Sequence, residues 1–312
     1  SRISFENFKM ADYYRRNSYN LYHSPGYVLP FLWDYPSVIT IHDLIALEYP
    51  EFCQRESAFY FNLFLPRSIK KASKIITVSH KVKDDIIKKF GISPCNIEVI
   101  YHGINEIYKR IRSDEILNKI RKIYKLPQQF ILFVGNIEPK KNLERLIRAV
   151  YQLKQQAGIK HKLVVVGKNG WNYKPVYKTI SELKFDSEIL FTGYIPIEDL
   201  PVIYSLADVF VFTSLYEGFG IPPLEAMACE TPVLVSNLGA LPETTGGNCL
   251  QVNPYKIEEI SKSIYNLITD KELRKKTIEN GKKWVKNFTW EKSAVETLKV
   301  YENIMSGIYL NK

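Results

Sequence analysis

Two carboxylates eight positions apart, Glu217 and Glu225, frame a glycine loop and a helix start: Glu217-Gly218-Phe219-Gly220-Ile221-Pro222-Pro223-Leu224-Glu225. Gly218 and Gly220 let the backbone come close to a ligand or take a positive φ. Pro222 and Pro223 suit the first helical turn, where a missing N–H costs nothing. A helix start after such a loop offers N–H groups and a partial positive charge, which suits a phosphate. Carboxylates repel phosphate, so Glu217 and Glu225 read as hydrogen-bond acceptors for hydroxyls. Phosphate donors flanked by hydroxyl acceptors fit a sugar–diphosphate–ribose, that is, a nucleotide sugar. A second anion site is legible upstream, where an apolar run ends at Gly135 and Lys140 and Lys141 open the next helix. Lysine is a compact charge suited to a diphosphate. His42 and Asp43 end another apolar run, and active-site groups of open α/β sheets sit at such carboxyl ends.

Strands must end where these groups stand. Short apolar runs of buried-strand type cover 129–135, 162–167, 188–195, 207–212 and 231–236. Helical patterns cover 143–156, 173–184, 198–207, 258–267 and 271–287. In the first of these, Leu143, Leu146, Ile147, Val150 and Leu153 form one apolar stripe. Nearer the start, strands are expected over 20–25, 36–44, 73–78 and 96–100, with helices over 5–16, 60–72 and 81–90. Ser79 is placed to cap the last of these and Gly91 to end it. The charged segment 108–126 reads as a helix within the crossing between two domains. Alternating strands and helices predict parallel, doubly wound sheets. No G-x-G-x-x-G follows any strand, which argues against a dinucleotide oxidoreductase.

The bulk numbers agree with two domains: 312 residues, of which 46% are hydrophobic. The net charge of +10 comes without a long basic run, so no nucleic-acid arm is expected. The surplus would attract an anionic membrane surface or a phosphorylated acceptor. No apolar run approaches the length of a membrane span, and the start lacks a signal-peptide core. Four scattered cysteines without C-x-x-C argue against a metal site and a disulfide framework, and suit reduced thiols in a cytoplasmic setting.

The stretch E-G-F-G-I-P-P-L-E-A-M-A (217–228) resembles the signature of the retaining glycosyltransferases of family 4. The resemblance covers nearly all of 20–305. It implies a GT-B fold, two Rossmann-like α/β domains of doubly wound parallel sheet facing a cleft. The expected divisions are 1–110 for the acceptor side, 111–288 for the donor side, and a last helix over 289–312 crossing back. The family's first βαβ has no counterpart in this chain. I-H-D-L at 41–44 matches a motif whose histidine approaches the donor sugar, which implies a catalytic part for His42. V-G-N-I-E-P-K-K at 134–141 matches the family's donor-phosphate motif from Gly135 to Lys141, with Lys140 where relatives carry arginine. His102 stands where the family's usual residue is asparagine, and no role is carried over to it.

By the same resemblance, Glu225 accepts from the ribose and Glu217 from the donor sugar, while the backbone at Gly218, Phe219 and Gly220 holds sugar or phosphate. Lys141 and Lys140 neutralise the departing diphosphate, and the strand ending near Tyr194 lies beside the nucleobase. Lysines in that job make a metal unnecessary, and no cofactor is expected. The E-P-K-K-N form points to mannosyltransferases of surface-polysaccharide assembly, hence GDP-mannose as donor and a glycan or lipid-linked acceptor met at the inner membrane face. A GT-B sugar-nucleotide epimerase and a non-catalytic nucleotide-sugar-binding fragment are the readings from other classes.

Overall fold

The computed structural model describes residues 9–17 and 19–310. Its contacts divide the chain into two units, 1–103 with 289–312, and 104–288. The first unit is built on four parallel strands in the order β1-β2-β3-β4: β1 Tyr22–Ser24, β2 Ser37–Ile41, β3 Lys74–Thr77 and β4 Ile97–Val99. Alternation along the strands sends side chains to both faces. Ile39, Ile41 and Ile75 join Trp33, Leu65, Ile69 and Val82 in one core cluster. Val38 and Ile76 face the other way and pack with Ile100 and Val300. Val300 belongs to the helix Trp290–Leu310, so the end of the chain covers the second face of this sheet.

The second unit has six parallel strands in the order β10-β9-β8-β5-β6-β7. They are β5 Phe130–Val134, β6 Lys162–Val166, β7 Ile189–Gly193, β8 Val209–Phe212, β9 Val233–Ser236 and β10 Leu250–Val252. Phe130–Phe133 of β5 and all of β8 and β9 are buried, as continuous apolar runs in parallel sheets require. The helix Leu143–Ala157 buries its expected stripe of Leu143, Leu146, Ile147, Val150 and Leu153.

Capping sets the helix His80–Phe90. Ser79 Oγ accepts from Val82 N–H at 3.2 Å, and Gly91 closes the helix at φ +64°. Other boundaries move. The expected helix over 5–16 is seen as Met10–Arg16, and 5–8 lie outside the described residues. The helix expected over 60–72 runs Arg55–Lys71, with Glu56 in its first turn and Lys70 and Lys71 in its last, both favourable to the helix dipole.

The helix expected over 108–126 is only Asp114–Ile123, begun at Ser113, whose Oγ faces Ile116 N–H. Upstream of it, Ile111 N–H donates to Ser205 Oγ at 3.0 Å and Arg110 donates to Ser205 O at 2.7 Å. These tertiary bonds hold 108–113 out of the helix. Two short helices, Ile45–Glu48 and Leu241–Thr245, and the three-residue strand β10 carry no periodic signal in the sequence.

Candidate functional site

From β5 the second sheet proceeds through β6 to β7 on one side, and through β8 and β9 to β10 on the other. Its topological switch point therefore lies between β5 and β8. Ligands of open α/β sheets bind outside the carboxyl ends of the strands at such a point. Two loops leave there, 135–142 after β5 and 213–220 after β8. They carry Gly135, Lys140 and Lys141, and Glu217, Gly218, Phe219 and Gly220.

The loops meet in one ion pair. Lys141 Nζ donates to Glu217 Oε1 at 2.5 Å, with the side chains 14% and 11% exposed. The same Nζ lies 4.8 Å from the centre of the Phe212 ring. Burial pushes the Glu217 carboxyl up, but the charges of Lys141 and Lys140 and the Lys141 hydrogen bond outweigh it and hold it below the usual carboxylate range. Glu217 is thus an anion and a hydrogen-bond acceptor only.

Backbone contacts fix this pair from several sides. Leu215 N–H donates to Lys140 O at 2.7 Å, and Ala240 N–H donates to Glu217 O at 2.9 Å. Gly239 sits at φ +62°, and a Cβ there would fall 2.8 Å from Glu217 O. Only glycine fits that close approach. Gly135, at φ +152°, donates its N–H to Val166 O and lies against the Lys141 side chain.

The lysines do not open the long helix as the sequence suggested. They sit in a 3-10 turn, Pro139–Lys141, and the helix begins at Leu143. Between them stands Asn142, buried and at φ +59°. Its amide donates to Thr213 O at 3.1 Å and Pro254 O at 2.8 Å, and its Oδ1 accepts from Arg145. Asparagine tolerates this left-handed backbone, and its side chain ties the lysine turn to the loop after β8.

The helix Ile221–Ala228 follows Gly220, which is at φ +97° with the Leu241 side chain filling the place of a Cβ. Pro222 and Pro223 remove two of the N–H donors that a helix start ordinarily offers, so donation to an anion there falls to Ile221 and the loop before it. Phe219 is buried with its ring 5.9 Å from that of Phe288, and its carbonyl accepts from Thr244 Oγ1 at 2.9 Å.

Glu225 is half-buried on this helix. Tyr204 donates to its Oε2 at 2.9 Å, and Tyr108 hydrogen-bonds it as well. Burial raises the Glu225 carboxyl, and the two phenols partly offset that. A carboxylate has about four lone-pair positions, so two phenols leave room for further donors. Neither tyrosine carries a local signal in the sequence, and Tyr108 lies outside the helix, which begins only at Asp114. Tyr194 lies just past β7, 65% exposed, with Lys168 Nζ 4.9 Å from its ring centre. His42 belongs to the first unit, just past β2. Its ring nitrogens face Pro25 O at 2.9 Å and His102 Nε2 at 3.2 Å.

The structure therefore brings Lys141 directly onto Glu217, with Lys140 acting on it through charge. It gives Glu225, Tyr194, Phe219 and His42 partners of their own. Among the described residues, no cluster of three side chains could hold a metal, and no helix is long and apolar enough to cross a membrane.

Comparison with known families decides what this site belongs to. The family model of glycosyl transferases group 1 matches residues 114–284, and that of glycosyltransferase family 4 matches residues 2–106. The chain is a group 1 glycosyltransferase. The O-antigen chain mannosyltransferase B of Escherichia coli is 31% identical over 282 residues, 90% of this chain and 74% of that protein. The serotype-specific mannosyltransferase WbdA of Escherichia coli is 29% identical over 281 residues, 87% of this chain and 34% of that protein. The chain thus spans only about a third of WbdA. Anabaena HepE, solved in complex with UDP and glucose, superposes with a TM-score of 0.77 at 22% identity, covering 94% of this chain and 80% of that one. The two parallel-sheet α/β domains of this glycosyltransferase are those of the GT-B fold.

Proposed function

We propose that this glycosyltransferase moves mannose from GDP-mannose to a glycan or lipid-linked acceptor in surface-polysaccharide assembly, with retention at the anomeric carbon and without a metal. The observation that carries the reading is the buried Lys141–Glu217 pair at the switch point of the second sheet. One cation there can meet a diphosphate while the anion beside it accepts from sugar hydroxyls. The names of the O-antigen relatives support mannose.

In the proposed reaction the bond between the sugar C1 and the diphosphate oxygen breaks. The acceptor hydroxyl oxygen bonds to C1 on the same face, and its proton passes to an oxygen of the departing β-phosphate. Lys141, helped by Lys140, stabilises the charge that builds on that phosphate. Removing one such electrostatic donor costs about 3 kcal/mol of transition-state stabilisation in other enzymes. Glu217 orients the sugar, and Glu225, held by Tyr204 and Tyr108, accepts from the ribose. His42 is assigned to the reacting sugar, and Tyr194 to the base. The test is transfer from GDP-mannose in the presence of EDTA, with the new linkage read by proton NMR. An α-mannoside is expected, and a β-mannoside would sink retention.

Contact with a membrane face is the second part of the proposal. Phe31, Phe59 and Leu63 are exposed in the first unit, with Arg67 at Phe31 and with Arg55 and one acid, Glu56, lining the surface around Phe59. Arg67 lies over the Phe31 ring, 4.3 Å from its centre. Apolar side chains rimmed by more cations than anions suit an anionic bilayer surface. The chain should sediment with vesicles containing 30% phosphatidylglycerol, and Phe59→Ser with Leu63→Ser should release it. Equal sedimentation with neutral and anionic vesicles, or none, would remove this part.

A further inference from the structure

His42 and His102 come from different strand ends of the first unit, one just past β2 and the other past β4. Their ring centres are 5.2 Å apart and their planes 20° apart, so the rings lie edge to edge. His42 Nδ1 lies 3.2 Å from His102 Nε2, and His42 Nε2 lies 2.9 Å from the Pro25 carbonyl oxygen. The Tyr27 ring stands edge-on to His42 at 5.4 Å, and the Trp290 ring lies 5.5 Å from His102. Gly103 makes room for that helix start, since a Cβ there would fall 2.7 Å from Trp290 Cα.

The donor–acceptor logic of this chain has one solution for two neutral rings. A carbonyl oxygen only accepts, so His42 carries its hydrogen on Nε2. Its Nδ1 is then a bare lone pair and must accept. His102 must therefore carry its own hydrogen on Nε2. Burial, with the nearby His42 second, lowers His102 to about 4, so His102 is neutral at physiological pH.

We propose that His102 is a positioning residue that, by donating to Nδ1, keeps His42 in its Nε2–H tautomer when a sugar oxygen takes the place of Pro25 O, so that His42 meets the reacting sugar as a hydrogen-bond donor rather than as a base. This rests on the assignment of His42 to the reaction made above. The Nε2–H now spent on Pro25 O is the group that a sugar hydroxyl oxygen would receive in its place.

The test is long-range proton–nitrogen correlation NMR of the full chain labelled in histidine at pH 7.5, together with transfer kinetics. The five histidines make the spectrum tractable, and His42→Gln assigns the His42 signals by their loss. His42 should show the Nε2–H pattern. His102→Leu should move the His42 Nδ1 resonance as it loses its hydrogen-bond donor, while Pro25 O still holds the hydrogen on Nε2 in the free protein, and should lower kcat/KM for transfer about tenfold, the scale of one lost hydrogen bond of about 1.4 kcal/mol. His102→Gln, whose amide nitrogen reaches the same point, should restore both. An Nδ1–H pattern in the native chain, or His42 shifts unmoved in a folded His102→Leu variant, would overturn the positioning role. Full transfer by His42→Ala would overturn the functional half, while the reading of the second-unit site would stand.

Discussion

Lys141→Ala should lower kcat/KM for transfer by about two to three orders of magnitude and also destabilise the second unit. The activity loss follows from removing the cation proposed to meet the departing diphosphate. The stability loss has a separate cause. Glu217 is mostly buried and is held below the usual carboxylate range only because the lysine charges outweigh burial. Breaking a buried pair from one side leaves an uncompensated charge and costs about 3–5 kcal/mol, toward the low end here because Lys140 stays.

The pH dependence carries the sign. In the native protein Glu217 contributes stability above its unfolded pKa, and loses it as pH falls through its lower folded pKa. Without Lys141, burial pushes the carboxyl up, so the deficit of the variant should be largest at neutral pH and shrink toward pH 5. Lys141→Met combined with Glu217→Gln should regain most of the stability and none of the transfer. Thermal unfolding at several pH values and initial rates measure all of this. Transfer within threefold of native in Lys141→Ala would contradict the role given to the lysine.

Gly167→Ala should be the most damaging single methyl in the second unit. Gly167 follows β6 at φ +145°, a conformation that side chains rarely adopt, and its Cβ would fall 2.6 Å from the Gly135 carbonyl carbon, inside any tolerable contact. The obstacle is backbone, so no rotamer relieves it. A loss of about 3 kcal/mol is expected, which lowers Tm by roughly 6–12 °C for a unit of this size. The displaced Gly135 opens the loop that leads to Lys141, so donor affinity should fall as well. Gly158→Ala is the control. Gly158 also has a positive φ, +60°, but nothing lies within 4 Å of its Cβ position, so only about 1 kcal/mol of backbone strain is expected. Equal losses in the two variants would show that conformation alone, rather than the packing of Gly167 on Gly135, sets the cost.

What could be read from the sequence follows from how local each signal is. β5, β6, β8 and β9 are buried apolar runs, two of them followed directly by glycine, and they stand where expected. Ser79 and Gly91 bracket their helix because capping is decided within four residues. The Glu217 and Lys141 loops were legible as anion and hydroxyl sites, but their direct ion pair joins positions 76 residues apart. The same holds for Tyr204 on Glu225 and for His42 on His102, which no local pattern announces. The start of the helix Asp114–Ile123 was misplaced because bonds from Arg110 and Ile111 to Ser205 override a helical composition. The long helix begins at Leu143 as expected, but the separate 3-10 turn that holds the lysines is not legible, because the left-handed Asn142 between them looks like an ordinary polar residue in sequence.

The most direct measurement is calorimetric titration of GDP-mannose into the native chain and into Glu225→Ala, both in EDTA. The account predicts saturable binding without metal, weakened at least about tenfold in the variant, or about 1.4 kcal/mol. Absence of binding by GDP-mannose, or equal affinity in the two proteins, would contradict a donor site built on the Glu225 helix and the loops that meet in Lys141 and Glu217.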